Sequence, residues 1–162
     1  MHVERRAPLV ALSALGMALL LLVAFLGAGW SEEAVRVVIR WTARVGIVLF
    51  AAAFSAGPLR SLWRVESTRW MVTNRRGLGL SFALVHTTHL AALVVLGLEF
   101  PDPFVDGLDA VTLVGGGLAY VFMGGMAATS NDAAVRWLGP QRWRRLHTIG
   151  GWYIWIIFAQ TY

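Results

Sequence analysis

Residues 74–97 read NRRGLGLSFALVHTTHLAALVVLG. Arg75 and Arg76 open the stretch, and an apolar run of about twenty residues follows, long enough to cross a bilayer as a helix. Its interior carries two imidazoles, His86 and His89, three residues apart and therefore on one side of a helix. Ionisable groups are costly in lipid, so a membrane helix that keeps them has a use for them. For neutral histidines without carboxylate partners the commonest such use is to bind a metal or a haem iron. The stretch reads as half of a cofactor site. The bland alternative is a helix–helix hydrogen bond, with Thr87, Thr88 or a backbone carbonyl satisfying the rings.

The rest of the chain fits a membrane setting. Of 162 residues, 57% are hydrophobic and 14% are charged, against about 25% charge in a soluble domain. The fold class expected is all-α, an integral membrane bundle of about five transmembrane helices forming a single membrane domain over residues 1–162. With no cysteine, disulfides, iron–sulfur clusters and thiol chemistry on this chain are excluded. A net charge of +5 would suggest nucleic acid in a soluble protein. In a membrane chain the excess is more simply a topology signal, and no nucleic-acid partner is expected.

Leu9 to Gly29 is an unbroken apolar run, the first expected helix. It is longer than the roughly 7–15 residues of a signal-peptide core, and GAGWSEE is a poor cleavage site, so a retained helix is favoured. Glu32 and Glu33 suit the start of the second helix. Along it Arg36, Arg40 and Arg44 recur every four residues, reading as a snorkelling face, with a head-group or propionate site as the rival. Pro58 is expected to close that helix, and a loop from Arg60 to Arg76, anchored by Trp63 and Trp70, to lead into the third. The third helix should end near Glu99, before the acidic loop EFPDPFVDGLD. A fourth is expected over Ala110 to Ala128, its glycine runs allowing close approach. SNDAAVRWLGP reads as a capped short interfacial helix stopped at Gly139-Pro140, and a fifth span runs from about Leu146. Arginines crowd the second–third and fourth–fifth connections and are absent from the third–fourth. Those two connections and the N-terminus are therefore expected to be cytoplasmic, with Tyr162 outside.

Depth sorts the histidines. His89 lies thirteen residues beyond Arg76, about 20 Å into the bilayer. His147 is two residues past Arg145, only about 3 Å inside the same boundary. On the fifth helix the residue level with His89 is Gln160. Met17, near mid-depth on the first helix, is the one membrane methionine placed to serve as a weak further ligand.

Two arginine-led motifs carry a family likeness. RRGLGL followed by His89 is similar to the third-helix motif of the ferric reductase-like transmembrane family. There, a haem-ligating histidine lies fourteen residues after the first arginine. TSNDAAVRWLGPQRWRRLH resembles the family's next signature at Thr129, Ser130, Asp132, Arg136, Leu138, Gly139, Trp143, Arg144, Arg145, Leu146 and His147. The likeness covers roughly residues 40–162, nearest to the haem-bearing membrane subunits of bacterial periplasmic methionine sulfoxide reductases. It implies b-type haem and electron transfer across a bacterial inner membrane, with His89 and His147 as candidate metal ligands. His86 stands one turn from His89 as a substitute ligand, and Arg75, Arg76 and Arg145 are candidates for pairing with the propionates. The family places a further histidine thirteen residues after His147, where this chain has Gln160, and relatives add a sixth helix. No nucleotide-binding motif is present, so the likeness implies a separate reductase or flavoprotein chain as one partner and a redox acceptor protein as another. The chain reads as an electron-transfer subunit rather than a complete enzyme. The rivals are a haem-free scaffold, which Gln160 favours, and a small transporter, for which membrane carboxylates and broken helices are lacking.

Overall fold

The structure, a computed structural model, describes residues 7–101 and 110–161. Among them all regular structure is α-helical: α1 Ala7–Ala28, α2 Glu32–Leu62, α3 Glu66–Glu99, α4 Ala110–Ala128, α5 Asp132–Leu138 and α6 Pro140–Thr161. Among the described residues three helices are long and apolar enough to cross a bilayer: Pro8–Ala28, Glu32–Leu62 and Glu66–Glu99. Thr112–Ala128 with Asp132–Leu138, bent by 105°, is a fourth candidate. The protein is a multi-pass membrane protein. The expected fifth span lies on α6, whose first turns carry Arg142, Arg144 and Arg145 and leave it a shorter apolar part.

The chain divides into two compact units, Met1–Asp106 and Gly107–Tyr162. In the first, connections of a few residues fold α1, α2 and α3 into antiparallel neighbours, and α2 packs most extensively on α3. Ser31 caps α2 by accepting from the Ala34 amide, and Glu32 and Glu33 complement its dipole. Ala24, Val35, Val38, Ala92 and Leu96 form a core at one end of the unit, with Leu21, Phe25 and Val95 packed around it. Much of this core is small or β-branched. Close backbone approach matters in lipid because the hydrophobic effect no longer drives helices together.

Three boundaries differ from the sequence expectation. Pro58 does not end α2, which continues to Leu62 with the Trp63 amide bonded to the Leu59 carbonyl at 2.8 Å. Proline withdraws only its own N–H, the one that would serve Phe54, and the turn beyond it closes normally. The neighbouring Ala53 carbonyl accepts from Arg75 Nε at 2.9 Å. The expected Arg60–Arg76 loop shrinks to the short link at Trp63–Val65, because α3 already begins at Glu66. Thr68 Oγ1 donates there to Trp63 O at 2.6 Å and Arg60 to Val65 O at 3.1 Å, tying the link down. Likewise α6 starts at Pro140 rather than Leu146, with proline at the first helical position where its missing N–H costs nothing. Hydropathy marks the limits of the hydrocarbon, and these helices run past them into polar sequence.

In the second unit α4 packs on α6, and α5 also contacts α6. Asn131 caps α5 by accepting from the Ala134 amide at 2.7 Å, and Gly139 ends it at φ +76°, a conformation that favours glycine. The acidic residues Asp102, Asp106 and Asp109, the tail with His2, Arg5 and Arg6, and Tyr162 lie outside the described residues.

Candidate haem-ligand site on the second and third helices

His86 and His89 project from α3 toward α2, their rings stacked with centroids 5.1 Å apart and planes 19° from parallel. Both are half-buried. The His86 ring lies against Gly46 of α2, where an added Cβ would stand 2.6 Å from His86 Nδ1, and packs on Phe82 at 4.9 Å. Only glycine leaves room there.

His89 is held by polar contacts. Its Nδ1 lies 3.1 Å from the Ile39 carbonyl and 3.0 Å from Thr42 Oγ1. A carbonyl only accepts, so Nδ1 carries the proton and donates. Thr42 is fully buried, and its hydroxyl donates to Val38 O at 2.7 Å or Ile39 O at 3.0 Å, leaving its lone pairs for the imidazole. Nε2 is therefore the unprotonated nitrogen, and it makes no hydrogen bond among the described residues. A metal-bound histidine has the same arrangement, one nitrogen anchored to a carbonyl and the other presenting its lone pair. The residues fit a haem iron at His89 Nε2.

Thr87 and Thr88, the partners the sequence suggested for the rings, instead bond back to Ala83 O at 2.8 Å and Leu84 O at 3.2 Å. The α2 residues Ile39, Thr42 and Gly46 were missed. Their signal is a small polar or absent side chain at four-residue spacing, Thr42 and Gly46, on an otherwise apolar helix face.

In the second unit His147 sits differently. Trp143 stacks on it, with centroids 4.2 Å apart, and donates Nε1–H to the Thr129 carbonyl at 3.0 Å. Thr129 Oγ1 donates to Gly125 O at 2.7 Å, the shortest of its contacts, so the 3.2 Å contact to His147 Nε2 is an N–H donated to the threonine. The ring nitrogen free on His89 is the engaged one on His147. Arg145 is exposed on the first turns of α6, Arg76 is half-buried on α3, and Arg75 is exposed with its Nε on Ala53 O. Gln160 is exposed near the end of α6. Met17 is buried and lines an apolar groove with Trp41, Val45 and Val85.

The model of the ferric reductase-like transmembrane component matches residues 42–158, from the threonine that holds His89 to the last turns of α6. This chain belongs to that family. It is 34% identical over 111 residues to a protein-methionine-sulfoxide reductase heme-binding subunit of Ralstonia nicotianae, covering 67% of this chain and 48% of that one. To the subunit of the same name from Polaromonas naphthalenivorans it is 30% identical over 126 residues, covering 76% of this chain and 54% of the other. The chain thus spans about half the length of these relatives. No solved structure matches it.

Proposed function

We propose that this chain is a membrane electron-transfer subunit that binds b-type haem and passes electrons between a partner reductase or flavoprotein chain and a redox acceptor protein. The observation that carries the reading is the His89 tautomer, with Nδ1–H tied to Ile39 O and Nε2 left open. The two relatives, named as heme-binding subunits of a methionine sulfoxide reductase, support the same direction. Bound haem would supply one-electron redox chemistry at its iron.

The chain's own residues supply the rest. His89 would hold the iron, and Ile39 and Thr42 keep its ring from rotating and its basicity high. His86, stacked beside it on Gly46, fills the space next to the ligand and excludes water. Arg75, Arg76 and Arg145 are the candidates for the propionates, Arg75 through the guanidinium nitrogens that Ala53 leaves free. His147 would have to release Thr129 before ligating through Nε2, so His89 is assigned the principal role. The setting proposed is a bacterial inner membrane with the N-terminus cytoplasmic, from the arginine asymmetry.

One observation favours a second reading. Gln160 stands where the family pattern has a histidine, which suits a haem-free scaffold that kept the fold. Haem quantified by pyridine haemochrome in purified His89→Ala and His147→Ala variants tests the assignment. The first should fall to background and the second should retain most of the wild-type content. The reverse order would move the ligand to His147.

A further inference from the structure

Arg40 and Arg44 lie two residues either side of Thr42, which points to α3, so both belong to the opposite side of α2. The bond from Arg75 to Ala53 sets the arginine pair of α3 level with Ala53. Counted from there along α2, Arg44 is about 14 Å and Arg40 about 20 Å away, toward the Glu32 end of the helix. Within this unit the neighbouring helices carry no charge at these levels, α1 having no charged residue among those described and α3 being uncharged from Gly77 to Leu98. Cations on a helix long and apolar enough to span a bilayer pair with something or line a cavity. Arg36 is paired with Glu32 at 2.5 Å. Arg44 lies with its guanidinium carbon 5.5 Å from the centre of the Trp41 ring. Arg40 has no ion pair, hydrogen bond or ring contact among the described residues.

The same Trp41 forms one wall of a groove of about 380 Å³ between α1, α2 and α3. Leu9, Gly16, Met17 and Leu20 of α1 and Val45 of α2 line it, and Ser13 is the one hydroxyl on its walls. From Leu20 to Leu9 it runs about 16 Å along α1, away from the arginines and toward the Arg75 end. Side chains on α2 lean toward its N-terminus, so the guanidinium groups point to the membrane surface at Glu32 while the groove leads inward. The site thus has two cations at its mouth and a narrow apolar channel behind them.

We propose that this face binds one anionic phospholipid of the surrounding bilayer, its phosphate between Arg40 and Arg44 and one acyl chain in the groove beside Met17. A free phosphate would leave the groove unfilled, and a neutral tail would leave the arginines uncovered. An anionic lipid satisfies both, through charge-assisted hydrogen bonds at the head and apolar contact along the tail. The proposal does not depend on the haem reading.

Native mass spectrometry of the full chain, released from detergent after exchange with phosphatidylglycerol or phosphatidylcholine, tests it. The wild type should retain one phosphatidylglycerol, about tenfold in preference to phosphatidylcholine. The Arg40→Gln, Arg44→Gln double variant should fall to the phosphatidylcholine level. Gly16→Phe, at a site where an added Cβ meets no atom within 4 Å, should fill the groove and lower retention with the circular dichroism unchanged. Equal retention of the two lipids by the wild type overturns the proposal, as does a wild type that carries neither because protein covers the face. Should the double variant not fold, Gly16→Phe decides alone, and undiminished retention in it overturns the proposal.

Discussion

His89 keeps its proton on Nδ1 because the Ile39 carbonyl can only accept and the Thr42 hydroxyl has its own hydrogen committed to the α2 backbone. Two predictions sit at this scale. Thr42→Val removes one of the two acceptors while leaving Ile39, so it should cost about 1 kcal/mol of stability. Haem should still bind, with its reduction potential shifted, as a redox titration would read. Gly46→Ala is harsher, since the new Cβ would meet His86 Nδ1 at 2.6 Å on a rigid backbone. It should destabilise the α2–α3 pair by about 1–3 kcal/mol, measured by thermal melting in detergent. The histidines were legible in the sequence because imidazoles stand out in an apolar run. Thr42 and Gly46 were not, since a threonine and a glycine in a membrane helix are ordinary until the partner helix is known.

Elements were easiest to read where they are apolar from end to end. α1 and α4 lie where the hydropathy put them, and α5 was bounded by its asparagine cap and by Gly139. α2, α3 and α6 each extend into polar sequence, and there composition gave the membrane boundary in place of the helix boundary. Of the α4 glycines, a Cβ added at Gly115 would meet the Ile157 side chain at 3.1 Å, whereas one added at Gly116 or Gly117 would meet nothing within 4 Å. On α6, a Cβ added at Gly150 would meet Met126 and Phe122 at 3.0 and 3.2 Å, a tight approach the sequence did not single out. Gly150→Leu should therefore loosen the α4–α6 pair, while Gly117→Leu should leave the melting temperature nearly unchanged. The Thr129 knot makes a further prediction. Thr129→Val removes the hydroxyl that engages His147 and should speed proteolysis at the α4–α5 turn without loss of haem.

For the molecule as a whole, the arginine distribution predicts that reporter fusions at Asp106 and Gln141 fall on opposite sides of the membrane, Gln141 on the cytoplasmic side. With Gln160 where the family pattern has a histidine, a haem held by His89 should be high-spin and should bind carbon monoxide readily. The family was legible from its two arginine-led motifs, because they couple a topology signal to a histidine at fixed depth. The measurement that bears most directly on the central claim is the visible absorption spectrum of the wild-type protein purified from haem-replete cells. A Soret band with dithionite-sensitive α and β bands is the result expected of a haem-binding electron-transfer subunit. A well-folded, colourless protein that yields no haem to acid acetone would contradict it and leave the scaffold reading in its place.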